Sequence, residues 1–156
     1  MPKGRTSTAE SMVKQLEMLK DERAILNTLH RYPHCIDYDA AEQEFLDLFT
    51  ADGVFDIRGQ YARARKYQGR EELTQFITQH RKDATYHQHS LVNPVISING
   101  AEAYVESYWA TLDRGESGPS LGGCGRYRDR LVKKDGRWRF KERIVEIEVL
   151  NAESNR

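Results

Sequence analysis

Four residues in two short segments could pass a proton to and from a bound molecule. They are Tyr32 and Asp37 in RYPHCIDYDA, and His89 and Asn93 in YHQHSLVNPVIS. A carboxylate that accepts a hydrogen bond from one imidazole nitrogen fixes the tautomer and leaves the other nitrogen as a base. A phenol beside that pair can hydrogen-bond a carbonyl or hydroxyl oxygen of the same molecule. Such a set can take a proton from carbon without help, so no metal or cofactor is expected. Two cysteines, Cys35 and Cys124, have no metal-ligand spacing and form no disulfide framework. Neither has a helix N-terminus or a clear cation to activate its thiol, and both read as small buried fillers.

The signal at Asp37 is positional. Counting by three and four along a helix face from Leu26 through Leu29 and Pro33 lands on Asp37. An ionised carboxylate on an apolar face needs a partner or a wet cavity. Conflicts of that kind collect at functional sites. His89 alone would read as a satisfied core histidine; its pairing with Asp37 changes the reading. His87 is its rival, nearer the strand end and more solvated. Tyr32 lies on an apolar stripe and is as well suited to the core, while Asn93 could equally satisfy a backbone group beside Pro94.

The elements that must position these residues are set by periodicity. A first helix runs from about 9 to 39, with Met12, Leu16 and Leu19 in one apolar series and Ile25, Leu29, Tyr32 and Ile36 in a second; Pro33 marks a kink or interruption near its end. A short helix over about 41–49 ends at the Asp52-Gly53 turn. Strands over 54–58 and 61–67 flank Gly59-Gln60, and a third helix over about 71–81 buries Leu73, Phe76 and Ile77. The rest is strand. Residues 86–98 and 101–112 join through Asn99-Gly100, and 124–133 and 137–149 through Asp135-Gly136, both strong hairpin signals. Between the hairpins, 113–120 reads as a loop because of Gly115, Gly118 and Pro119. Helices followed by a twisted antiparallel or mixed sheet define an α+β domain spanning 9–150, with flexible ends at 1–8 and 151–156.

Strand parity says which side chains meet. The odd positions His87, His89, Leu91, Asn93 and Val95 share one face of their strand. In the next strand the odd set Ala103, Val105, Ser107, Trp109 and Thr111 is smaller and less charged than its alternates, and should face the concave side. Arg126, Arg128 and Arg130 take the outer face of the following strand, which leaves Tyr127, Asp129 and Leu131 inside, with Asp129 as an ion-pair partner. The last strand begins with Trp138 and Phe140 inside but ends with Val145, Ile147 and Val149. That change of phase near Glu142-Arg143 predicts a β-bulge that re-aims Arg143 toward the interior.

With 24 basic and 24 acidic side chains the net charge is +0, so no global field draws nucleic acid or a membrane. The local cluster Arg58, Arg63, Arg65, Lys66 and Arg70 reads as a solvated face. No apolar run approaches the roughly 20 residues of a membrane span, and MPKGRTSTAE has no secretory apolar segment. The expectation is a cytoplasmic protein with reduced thiols.

These features resemble the nuclear-transport-factor-2-like superfamily, and more closely its SnoaL-like branch. The resemblance is carried by ILNTLHRYPHCID, FTADGVFDIRG, YQGREEL, HSLVNPVI and GRYRDRLVKKDGRWRFKER, across about residues 20–149. It implies a cone, helices packed on a curved sheet around a pocket open at one end. Bile-acid 7α-dehydratase, scytalone dehydratase and hexachlorocyclohexane dehydrochlorinase are similar in using an aspartate at the end of the first helix and a histidine on a central strand. Asp37 and His89 match that pair, Tyr32 matches the tyrosine of the bile-acid enzyme pattern, and Arg143 matches a cavity arginine more loosely. A second histidine of scytalone dehydratase has no clear counterpart here.

The reading this supports is a cofactor-independent dehydratase acting on a hydroxylated cyclic, steroid-like or polyketide-like small molecule. Asp37, His89 and Tyr32 would be catalytic, and Asn93, Arg143, Tyr127 and Trp109 would line the substrate. A ketosteroid-type isomerase, polyketide cyclase or dehydrohalogenase would use the same pair. The contrasting class is a non-catalytic ligand-binding cone, or a scaffold like the β subunit of a ring-hydroxylating dioxygenase. Tyr104 and Tyr108 on the convex face, and the resemblance, lead to a homo-oligomer, a trimer before a dimer.

Overall fold

The computed structural model describes residues 8–38, 40–59, 64–83, 87–115 and 118–151. The chain forms α1 (Thr8–Asp37), α2 (Glu42–Asp47), β1 (Phe49–Arg58), β2 (Arg65–Gln68), α3 (Gly69–Asp83), β3 (His87–Asn99), β4 (Glu102–Gly115), β5 (Gly118–Lys134) and β6 (Arg137–Leu150). Six strands make one sheet in the order β2-β1-β6-β5-β4-β3. β1 runs parallel to β6 and every other pairing is antiparallel, so the sheet is mixed. Its end strands do not pair with each other, so the sheet is curved but unclosed, with the helices packed on it in an α+β arrangement.

Both hairpins form where the glycine-containing turns place them. Asp135 and Gly136 take φ of 53° and 72°, the left-handed pair that a tight turn between twisted strands requires. Gly100 takes φ of 62° at the other turn. The segment read as a loop over 113–120 is strand at both ends instead. β4 runs on to Gly115 and β5 starts at Gly118, and those glycines face each other in register. The extension brings Asp113 into the sheet.

Helix α1 divides in two. Ile25, Leu29, Tyr32, Cys35 and Ile36 are buried against the sheet. Thr28 Oγ1 donates to the Trp138 carbonyl at 3.0 Å, and Trp138 Nε1 donates to Asp21 at 2.9 Å. Met12, Leu16 and Leu19, the first apolar series, are exposed instead. Pro33 is accommodated within the last turns of the helix. α3 buries Leu73, Phe76 and Ile77 as its periodicity predicts, and Phe45, Phe49, Phe55 and Phe140 complete an aromatic core beneath it. The thiol of Cys35 is buried there, and burial pushes its pKa up.

Bulges shape the concave face. Between Leu131 and Arg130 the partner on β6 jumps from Phe140 to Glu142, leaving Lys141 as the extra residue. Trp138 and Phe140 therefore point in before it, and Arg143 and Val145 after it. A second shift, between Cys124 and Gly125, turns Val149 outward, where it is half exposed; the inward phase expected of it ends at Ile147. On β3 the shift between Val92 and Val95 has the same effect.

Candidate active site

Asp37 is the last residue of α1, where the helix would otherwise present a row of carbonyl oxygens. A carboxylate there needs donors, and β3 supplies them. Asp37 Oδ2 accepts the His89 backbone N–H at 2.7 Å, and Oδ1 is hydrogen-bonded to His89 Nδ1. The Asp37 side chain is 3% exposed and that of His89 15%. Two contacts to one residue fix both backbone and ring. With Nδ1–H donating to the carboxylate, Nε2 is left as the basic nitrogen. The geometry expected of this pair is present.

Behind His89 an aromatic wall leads inward. His89 and Trp109 have ring centroids 6.5 Å apart, and Trp109 stacks on Tyr127 at 6.0 Å. Tyr127 meets Tyr32 edge-on at 5.9 Å. The Arg143 guanidinium lies over the rings of Tyr32, Tyr127 and Phe140, 4.1 to 4.3 Å from their centroids. It is fully buried and binds Asp129 through two 2.8 Å bonds, from Nε and Nη2. Among the described residues its Nη1 has no hydrogen-bond partner, a costly state for a buried donor. Burial pushes both phenols upward, while the guanidinium draws them partway back. Tyr32 and Tyr127 therefore stay protonated, as donors.

In front of His89 lies a cleft of about 210 Å³, bounded by His80, His87, His89, Trp109, Thr111, Asp113, Gly122 and Leu150. His87 Nδ1 is 2.6 Å from Asp113 Oδ1. His80, on the last turn of α3, stacks on Phe76 with centroids 5.6 Å apart. Burial, reinforced by His89 and His87, depresses the His80 imidazole to about 4, so it is neutral at neutral pH. Among the described residues no three His, Cys, Asp or Glu side chains converge to hold a metal ion.

Of the residues expected at the site, Asp37, His89 and Trp109 meet at the cleft or directly behind it, and Tyr32, Tyr127 and Arg143 form the buried wall beyond. Asn93 does not join them. It takes φ of 53° at the β3 bulge, which reverses the parity of the remaining strand. Asn93 is exposed and borders a groove on the convex side with Tyr108 and Arg126; Val95 is 70% exposed, and Ile96 and Ile98 take the inner face. The residues missed were Asp113 and His80, while His87, set aside as the rival of His89, borders the same cleft. The odd parity that buries Ala103 through Thr111 continues unbroken to Asp113, and would have found it.

On the convex face Tyr104 and Tyr108 are exposed among ion pairs from Arg126, Arg128 and Arg130 to Glu102, Glu106, Glu146 and Glu148. Among the described residues, no helix is long and apolar enough to cross a membrane.

Known structures share this architecture. An NTF2-like protein with a cystatin-like fold from Novosphingobium aromaticivorans superposes with a TM-score of 0.81 at 17% identity, over 97% of this chain and 96% of that one. A protein of the same organism described as a candidate scytalone dehydratase gives 0.70 at 24% identity, over 85% and 87%. The β subunit of a candidate aromatic-ring-hydroxylating dioxygenase, again from that organism, gives 0.74 at 19%, over 88% and 95%. No sequence among the curated proteins matches. A profile of the SnoaL-like domain matches residues 17–144, most of the chain from the middle of α1 to β6, and the chain belongs to that family.

Proposed function

We propose that the cleft at His89 is the active site of a cofactor-independent dehydratase for a hydroxylated cyclic, steroid-like or polyketide-like molecule. The observation that carries this is the Asp37–His89 pair, nearly buried, doubly bonded and set against a cleft rather than within the core. A structural ion pair would not need an imidazole facing open space. His89 Nε2 takes a proton from the carbon next to a carbonyl, while Asp37 holds the tautomer and stabilises the imidazolium formed. The C–H electron pair becomes the new double bond, and the C–O bond on the adjacent carbon breaks. The departing hydroxyl needs a proton to leave as water, and the His89 imidazolium is one source.

The aromatic wall orients the ring system of such a substrate by stacking, with Trp109 nearest the base. Tyr32 and Arg143, buried behind Trp109 and Tyr127, do not border the cleft, so their part in this reading is to hold that wall beside the base. A donor to the carbonyl oxygen comes from the cleft itself. A base of this kind supplies on the order of 10²–10⁴-fold, and donors aimed at developing charge supply a similar share. The convex face, with its tyrosines and alternating charges, is the contact between copies of the chain in a homo-oligomer, a trimer in this reading.

The test is a panel of β-hydroxy ketones, including hydroxylated tetralones and steroids, monitored by the absorbance of the conjugated product. Water loss is expected from at least one member. Asp37→Asn should lower that rate by about 10²-fold or more, since it keeps the shape but removes the charge. Tyr32→Phe should lower it less. An Asp37→Asn variant that retains the parent rate would overturn the assignment.

A further inference from the structure

We propose that His87 and Asp113 form a second acid–base pair in the same cleft, and that His87 delivers the proton to the departing hydroxyl. The inference rests on the dehydratase reading and names the other half of its proton traffic.

His87 and His89 are two residues apart on one strand, so both rings stand on the same face with Cα atoms about 7 Å apart. Both border the cleft. Each has its own carboxylate from a different element: Asp37 comes from the end of α1, and Asp113 lies directly across from His87 on β4. In each pair the ring nitrogen that meets the carboxylate is Nδ1, and the proposed proton carrier is Nε2. Two imidazoles at this spacing can address the two neighbouring carbons of a β-hydroxy ketone, one at the C–H and one at the C–OH.

The fold makes specific provision for the second pair. Between Thr111 and Leu112 the register of β4 on β5 shifts, with Thr111 facing Gly123 and Leu112 facing Leu121. Gly122 is the extra residue. A Cβ at Gly122 would overlap both Asp113 carboxylate oxygens, so the carboxylate lies where any other residue would put its side chain. Asp113 is 10% exposed and His87 25%. A solvated cross-strand ion pair would need neither the bulge nor the glycine.

The proton balance closes. His89 Nε2 accepts the proton from the α-carbon, and that bond's electrons form the C=C bond. The β-carbon–oxygen bond breaks with its electrons on oxygen, which takes the proton from His87 Nε2–H and leaves as water. His89 ends as imidazolium and His87 as neutral imidazole. One proton returned through cleft solvent resets both.

The probes are a β-hydroxytetralone, whose product aromatises and absorbs, and its β-acetoxy counterpart, whose leaving acetate needs no proton. His87→Gln should slow the hydroxy compound by about 10²-fold or more. Its effect on the acetoxy compound should be smaller by at least tenfold. Asp113→Asn should show the same leaving-group pattern more mildly, and thermal melting of each variant checks the fold. Equal slowing of both probes by His87→Gln, or no slowing of the hydroxy compound, overturns the role of His87. The base reading fails by a different result: His89→Gln leaving acetate elimination at the parent rate.

Discussion

Asp129→Asn removes the charge that holds Arg143 in the interior, and the structure sets the size of the effect. Arg143 is fully buried, and among the described residues its Nη1 lacks a partner and its only hydrogen bonds are the two to Asp129. Three aromatic rings surround the guanidinium. Their quadrupoles contribute about 1–2 kcal/mol and do not replace a carboxylate. Breaking one side of such a pair costs about 3–5 kcal/mol, because an uncompensated charge stays buried. For a chain of this length that lowers Tm by about 6–20 °C. Urea denaturation of four proteins compares breaking the pair with replacing it: the parent, Asp129→Asn, Arg143→Met, and Asp129→Leu with Arg143→Met. The last should recover most of the loss, since apolar replacements of a buried pair are often neutral. If Asp129→Asn loses less than about 1 kcal/mol, the pair is not buried as described. If the double variant keeps full stability and full turnover, Arg143 has no part in the site.

The geometry sets three further outcomes. His80, depressed to about 4, is neutral in the fold while the unfolded histidine titrates near 6.5. Stability should therefore fall as pH drops from about 6.5 towards 4, by up to about 3 kcal/mol, and His80→Gln should flatten that slope in urea midpoints. Gly122→Ala should push the Asp113 carboxylate off His87 while the fold survives, since the displaced atoms are a side-chain end; loss of the His87 Nδ1–H signal from imidazole NMR reports it. Tyr104→Asp with Tyr108→Asp should shift the molecular mass in light scattering from oligomer to monomer, and an unchanged mass would remove the convex face from assembly.

How far the sequence reached depended on how local each signal was. Asp37 and His89 were legible because a helix repeats every three to four residues and a strand every two, and neither count was interrupted between the last apolar anchor and the residue. Arg143 was legible because Trp138 and Phe140 disagree in phase with Val145, which only a bulge reconciles. Asn93 and Val95 were misplaced because an asparagine tolerates positive φ and Pro94 donates no hydrogen bond. That dipeptide broke the β3 parity it was assumed to continue. Asp113 was read as loop because Gly115, Gly118 and Pro119 have turn character, yet the two glycines pair across the hairpin and let both strands run on. The exposed half of α1 shows the opposite failure: Met12, Leu16 and Leu19 keep helical spacing with no described surface to bury against.

In the proposed reaction His89, held by Asp37, takes the proton from carbon. The most direct test is the turnover of a β-hydroxytetralone by His89→Ala at matched folding, checked by thermal melting. A loss of about 10²–10⁴-fold with Tm little changed is expected, because the ring borders a cleft and contributes little packing. Turnover at the parent rate would contradict it, and the cleft would then belong to a binding module or to an enzyme that uses other residues.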